Sequence, residues 1–322
     1  MKNTGKFSSS LLHPRYWFTW FGLGVLWLLV QLPYPVLMRL GAGAGKISRH
    51  FLQRRERITR RNIELCFPGI SEEKTEHMIA GNFASLGMAL AETGIAWFWS
   101  DRAVRRLFKV SGMENLHAAQ KEKRGVMLIG VHFMSLELGG RISGLCQPMM
   151  AMYRPHNNQA MEYVQTKGRM RSNKAMIDRR DLRGMVNALK QGESVWFAPD
   201  QDYGPKGSTF APLFAVEKAA TTNGTFVLSR LAKPAMVPIM LIRNPGNDGY
   251  HLIIEPMLEN YPHTDRGCCC SLYEQSNRKS DPSRTRTVPL AASSLQKPGH
   301  RVKSRSTSEL TDKAGLAPAL LF

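Results

Sequence analysis

Gly125-Val126-Met127-Leu128-Ile129-Gly130-Val131-His132-Phe133-Met134-Ser135-Leu136-Glu137-Leu138-Gly139-Gly140-Arg141 is the stretch whose reading decides the fold. Its first seven residues are apolar without polar alternation, the pattern of a strand covered on both faces. Residues 136–145 are small and apolar, suited to a tightly packed helix, so His132 falls in the strand-to-helix loop and Glu137 in the first helical turn. The alternation continues along the chain, with helices predicted over residues 72–99, 160–170, 183–190 and 221–231 and strands over 194–198 and 237–243. This succession predicts an α/β domain with a largely parallel sheet flanked by helices. Ligands of such sheets gather at the carboxyl ends of the strands. His132 and Asp200 both occupy that kind of position, which predicts one shared cleft.

A histidine and a carboxylate five residues apart, His132 and Glu137, suggest acyl transfer. Positions i and i+5 of one continuous helix point about 140° apart. The two side chains therefore meet only if the loop turns the histidine back. Glu137 would then accept a hydrogen bond from one ring nitrogen and fix the tautomer, leaving the other nitrogen to take a proton from a hydroxyl. No serine or cysteine nucleophile is needed in that scheme. Taken alone, the same pair also fits a surface histidine beside a helix-start glutamate favoured by the macrodipole.

The chain carries 44 Lys and Arg against 25 Asp and Glu, a formal charge of +19. This implies an anionic partner, and charge alone does not choose among nucleic acid, anionic lipid and an acidic carrier protein. The N-terminal segment points to membrane and away from nucleic acid. Residues 16–40 are almost wholly apolar, long enough as one helix to cross about 30 Å of hydrocarbon, with Trp17, Trp20, Trp27 and Tyr34 as interfacial anchors. Pro33, Pro35 and Gln31 weaken the far end, and Ala42-Gly43-Ala44 is the one candidate for signal cleavage. Lys46, Arg49, Arg54, Arg55, Arg57, Arg60 and Arg61 follow, interleaved with Ile47, Phe51, Leu52 and Ile58, as in a basic amphipathic helix on anionic lipid. The expected organisation is an anchor over residues 1–45, a catalytic domain over 46–265 facing the cytoplasm, and a tail over 266–322. The five cysteines, three of them adjacent at 268–270, offer neither a disulfide framework nor a zinc spacing. No nucleotide-binding glycine loop is present either, so no metal or other cofactor is expected.

Further segments narrow the reading: Leu12-His13-Pro14-Arg15-Tyr16-Trp17, Arg61-Asn62-Ile63-Glu64-Leu65-Cys66-Phe67-Pro68, Glu92-Thr93-Gly94-Ile95-Ala96-Trp97-Phe98-Trp99, Tyr153-Arg154-Pro155-His156-Asn157-Asn158, Arg169-Met170-Arg171-Ser172-Asn173-Lys174 and Ala198-Pro199-Asp200-Gln201-Asp202-Tyr203-Gly204. Together with the His132/Glu137 box, they resemble the late acyltransferases of bacterial lipid A biosynthesis, over residues 6–265. The lauroyl and palmitoleoyl transferases that acylate Kdo-lipid IVA are the nearest branch. The resemblance implies an inner-membrane enzyme with an acyl carrier protein as donor and a lipid A precursor as acceptor. His132 is then the general base and Glu137 its orienting acid, while Arg169 steadies an oxyanion or grips a phosphate and Asp200 pairs with Arg169. Arg154, Asn173 and Lys174 become candidates for carrier or phosphate contacts. A glycerophospholipid acyltransferase using the same dyad and a basic binding protein without chemistry are the competing readings.

From residue 266 the pattern of that family stops. The remaining residues hold 10 Lys and Arg against 4 Asp and Glu in a Ser-, Thr- and Pro-rich mixture with weak hydrophobic periodicity. This stretch resembles an out-of-frame translation and is expected to be disordered, which would leave an inactive variant as a further reading.

Overall fold

The computed structural model describes residues 7–200 and 207–259; the expected tail and residues 201–204 of the Asp200 motif lie outside them. The apolar stretch over 16–40 does not form one rod. It makes α1 (Trp17–Leu29) and the first part of α2 (Tyr34–Ser48), with Pro33 in extended backbone between them. Proline has no amide hydrogen and clashes with the preceding turn, so the helix stops before it. At 1.5 Å per residue the 13 residues of α1 reach about 20 Å, short of the hydrocarbon thickness. No helix among the described residues is long and apolar enough to cross a membrane, which corrects the expectation of a transmembrane anchor. Ala42-Gly43-Ala44 lies inside α2, and the basic run is interrupted by turns before α3 (Gln53–Cys66).

Next comes α4 (Glu72–Phe98), the longest helix described, started by Ser71, whose Oγ accepts from the Lys74 amide, with Glu72 and Glu73 in the first turn. Arg49 and Arg60 form ion pairs with Glu56, Glu72 and Glu76, so part of the basic run is used to tie α3 to α4. Small residues bring α2 against α4. A side-chain carbon at Gly87 would overlap the Gly41 carbonyl oxygen, and one at Gly45 would overlap that of Phe83.

The chain continues through α5 (Asp101–Arg105), β1 (Phe108–Ser111), α6 (Met113–Lys121), β2 (Val126–Ile129), α7 (Leu136–Cys146), β3 (Met150–Tyr153), α8 (Gln159–Arg169), β4 (Ala175–Asp178), α9 (Leu182–Lys190) and β5 (Ser194–Phe197). A hairpin of β6 (Ser208–Leu213) and β7 (Val216–Thr222) precedes α10 (Gly224–Ala232), β8 (Ala235–Arg243) and β9 (Tyr250–Ile254). The helix predicted over 221–231 starts only at Gly224, because Thr221 and Thr222 pair with Thr209 and Ser208 in the hairpin; β-branched threonines suit a strand.

The main sheet has the order β1-β9-β8-β2-β5-β3-β4. All neighbours are parallel except β8 and β9. The apolar run of β2 is buried on both faces, as its composition predicts. Val126 and Leu128 join a cluster with Ile95, Leu138 and Ile142, while Met127 and Ile129 join one with Met185, Leu189, Phe226 and Met236. Leu23, Val30, Tyr34, Leu37 and Met38 of the N-terminal helices belong to the first of these clusters. A buried polar link fixes α4 to the sheet: Glu92 Oε1 accepts from Arg243 Nε at 2.8 Å and from the Tyr250 hydroxyl at 2.6 Å.

The α2–α4 contact makes a discriminating prediction. Gly87→Ala should lower stability by about 2 kcal/mol or more through overpacking. Gly43→Ala, where nothing lies within 4 Å of the added carbon, should be neutral or raise stability by up to about 1 kcal/mol. Thermal unfolding of the two variants checks both signs.

Candidate active site

Two adjacent parallel strands build the centre of the site. Ile129 of β2 is level with Phe197 of β5, and the Gly130 amide continues the ladder by donating to the Phe197 carbonyl at 3.1 Å. His132 and Asp200 each lie three residues past those paired ends, so the two chains deliver them to the same height above the sheet. The His132 backbone amide donates to Asp200 Oδ2 at 2.8 Å, and His132 Nδ1 lies 2.6 Å from Asp200 Oδ1. An ionised carboxylate only accepts, so this partner places the hydrogen on Nδ1 and the lone pair on Nε2. The Trp196 ring stands edge-on to the imidazole, with centroids 5.9 Å apart. Gly130 makes room for it, since a side-chain carbon there would lie 2.7 Å from Trp196 Nε1.

The contacts of the two carboxylates are therefore the reverse of those expected. Glu137, expected to orient His132, is held by Arg169, which donates to it through Nε at 3.1 Å and through Nη2, and by the Trp97 indole N–H at 3.0 Å. Asp200, expected to pair with Arg169, pairs with His132. The reason is geometric: Glu137, in the first turn of α7, reaches Arg169, the last residue of α8, while His132 in the loop after β2 reaches Asp200 just past the end of β5. Burial pushes the Glu137 carboxyl up, but the charge and hydrogen bonds of Arg169 outweigh it and leave the group below its ordinary value. The same pairing raises Arg169 against the effect of burial.

His132, Glu137 and Arg169 line one cavity of about 260 Å3. β8 extends beyond the end of β2, because Ile129 is level with Pro238 and the strand runs on to Arg243. Ile239 and Leu241, with Leu252 opposite Leu241 on β9, thus form an apolar wall beside His132. Leu86, Ala89, Leu90 and Thr93 of α4 close that side. On the other side of β2, toward β3 and β4, the lining turns polar and cationic with Tyr153, Arg154, His156, Arg169 and Arg179. Asn173 is buried and donates to the Arg169 carbonyl at 3.0 Å, while Lys174 pairs with Glu193 at 2.5 Å; of the three candidates for carrier or phosphate contacts, Arg154 is the exposed one on the cavity wall. Among the described residues no group of three His, Cys, Asp or Glu is placed to share a metal ion.

The sequence reading passed over Trp97, Trp196 and the β8–β9 wall. Trp97 lies in a motif quoted above and Trp196 lies in a predicted strand, but neither position reveals which neighbour the indole faces.

The sequence model of the bacterial lipid A biosynthesis acyltransferase family matches residues 4–275. The lipid A biosynthesis palmitoleoyltransferase of Escherichia coli (strain K12) is 67% identical over 257 residues, 80% of this chain and 84% of that protein. The lauroyltransferase of the same strain is 55% identical over 256 residues, again 80% and 84%. A lipid A biosynthesis acyltransferase of Haemophilus influenzae (strain ATCC 51907 / DSM 11121 / KW20 / Rd) is 44% identical over 252 residues, 77% of this chain and 80% of that protein. A match of this extent, over a fold that joins a histidine of a partly apolar cavity to a carboxylate on the neighbouring strand end, makes this chain a member of the bacterial lipid A biosynthesis acyltransferase family.

Proposed function

We propose that this acyltransferase moves a fatty acyl group, palmitoleate or laurate, from the thioester of an acyl carrier protein to a hydroxyl on an acyl chain of Kdo-lipid IVA. The observation that carries the reading is the contact of Asp200 with His132, a residue lining a cavity that is apolar on one side and cationic on the other. The names of the relatives at 67% and 55% identity supply the two acyl groups.

His132 Nε2 takes the proton of the attacking hydroxyl as its oxygen bonds to the thioester carbonyl carbon. Asp200 holds the ring in place and stabilises the imidazolium that forms. When the tetrahedral adduct collapses, the carbon–sulfur bond breaks and the imidazolium returns the proton to the departing sulfur. Glu137 acts as a positioning residue: with Trp97 and Arg169 it fixes the start of α7, and hence the loop that presents His132. The basic rim suits both an acidic carrier and the phosphates of the acceptor.

The protein acts at the cytoplasmic face of the inner membrane, with α1 lying in the interface. Phe18 and Phe21 are 91% and 72% exposed, and Trp17, Trp27 and Leu28 are exposed with them on α1. Arg54 and Arg57 are exposed on α3. Exposed aromatic and apolar side chains suit insertion at a lipid interface, and a chain with a formal charge of +19 suits an anionic one.

Expression in cells lacking their own late acyltransferases should add one acyl mass to lipid A, read by mass spectrometry. His132→Ala should abolish the addition, and Asp200→Asn should slow it about a hundredfold to ten-thousandfold. Acylation of lysophosphatidic acid instead would contradict the acceptor. Replacing Phe18 and Phe21 together by Ser should release the protein from anionic vesicles in a flotation assay while leaving its melting temperature within about two degrees. Glu137→Gln should cost about 3 kcal/mol at neutral pH by leaving Arg169 without its charge partner. Because folding holds Glu137 below its ordinary value of 4.5, the stability it contributes is present above that pH and lost as pH falls below it. The variant should therefore lose this part of the acid limb in a pH series of urea unfolding curves.

A further inference from the structure

The chain has 6 tryptophans, and an indole N–H that folding covers ordinarily finds an acceptor. Trp17 and Trp20 donate to the carbonyls of Leu12 at 3.1 Å and Leu11 at 2.7 Å, Trp99 donates to that of Val30 at 2.7 Å, and Trp97 donates to Glu137. Trp27 is exposed on α1, where water serves as acceptor. Trp196 is the exception. It is half-buried in the lining of the cavity, and its N–H has no acceptor among the described residues.

Strand alternation brings that N–H beside the base. Val195 and Phe197 of β5 pack into the cluster of Met127 and Ile129, whereas Trp196, level with Leu128, packs on the opposite face with Leu128, Ile95 and Leu138. The indole reaches farther along the sheet than its own backbone, since a side-chain carbon at Gly130 would lie 2.7 Å from Nε1. Gly130 leads into the loop of His132, and the imidazole and indole ring centres are 5.9 Å apart at an angle of 83°. The two rings are therefore neighbours in the cavity lining.

Acyl transfer as proposed above leaves one charge to be placed. When the acceptor oxygen bonds to the thioester carbon, the carbonyl π electrons move to the carbonyl oxygen, which becomes an oxyanion. Arg169 directs Nε and Nη2 at Glu137, where the Trp97 N–H also ends, so these donors are engaged. We propose that the Trp196 indole N–H is a catalytic donor that hydrogen-bonds the oxyanion while His132 holds the proton taken from the hydroxyl. The indole keeps its hydrogen throughout. The electron pair returns from the oxygen as the carbon–sulfur bond breaks, and the imidazolium proton goes to the sulfur. A fixed donor in a partly buried wall stabilises such a charge without reorganising solvent. The assignment rests on the acyl-transfer reading for its reaction, and on the unpaired N–H beside His132 for its place.

Exchanging Trp196 for benzothienylalanine in the full chain keeps the ring system and replaces the N–H by sulfur. In transfer from lauroyl or palmitoleoyl acyl carrier protein to Kdo-lipid IVA, kcat should fall about a hundredfold to a thousandfold, with KM within about threefold. A loss caused by packing alone would appear in Trp196→Phe and be absent from the benzothienyl variant. A second readout needs no turnover: indole nitrogen–proton NMR, with the Trp196 signal assigned by its absence in Trp196→Phe. The probe is a long-chain alkylphosphonate monomethyl ester, a tetrahedral anion that imitates the adduct. The Trp196 proton should move downfield in the titration as it gains an acceptor. A benzothienyl variant that retains kcat, or a Trp196 signal that stays in place, would overturn the assignment. A shifted Trp196 signal in unmodified protein that transfers no acyl group would keep the donor and sink the acyl-transfer reading instead.

Discussion

The register between β2 and β5 is the constraint on which the site depends. Two parallel strands paired at Ile129 and Phe197 end together, and the next three residues of each bring His132 and Asp200 face to face. A shift of one residue in that pairing would turn every side chain of the strand to the other face and separate the two groups. Both strands lie inside the two-faced core, where burial of Met127, Ile129, Val195 and Phe197 holds the register. The His132–Asp200 geometry is therefore a consequence of hydrophobic packing several residues below it.

The second carboxylate serves the first indirectly. Glu137 and Arg169 satisfy each other at the junction of α7 and α8, with Trp97 of α4 closing the pair. A partly buried glutamate without Arg169 would carry an unpaired charge. With Glu137 held in its own ion pair, Asp200 is the carboxylate that contacts the imidazole. The division between an apolar side toward β8 and β9 and a cationic side toward β3 and β4 follows from the strand order, because β2 stands between them.

The sheet class, the burial of β2 on both faces and the loop position of His132 were legible because each rests on local pattern: an unbroken apolar run, then small residues at helical spacing. Asp200 was placed at a shared cleft for the same reason, being a strand-end residue. The partners were not legible. Whether Glu137 or Asp200 reaches the histidine depends on how α7 and α8 sit against each other, and spacing along the chain carries no such information. The N-terminal stretch misled through average hydropathy, which does not register that Pro33 ends one helix and begins another, or that Gly41 and Gly45 are shaped for α4. The apolar wall of Leu241 and Leu252 was hidden by strand length, since only the structure shows β8 running past its neighbour.

The most direct test of the account is the tautomer of His132, read by two-dimensional nitrogen–proton NMR on protein labelled at histidine. The chain has 9 histidines, and loss of one signal set in His132→Gln assigns the resonance. The account predicts a protonated, pyrrole-like Nδ1 and an unprotonated, pyridine-like Nε2 at neutral pH, with that preference reduced in Asp200→Asn and retained in Glu137→Gln. A hydrogen on Nε2 in the unmodified protein, or a preference lost in Glu137→Gln but not in Asp200→Asn, would contradict it.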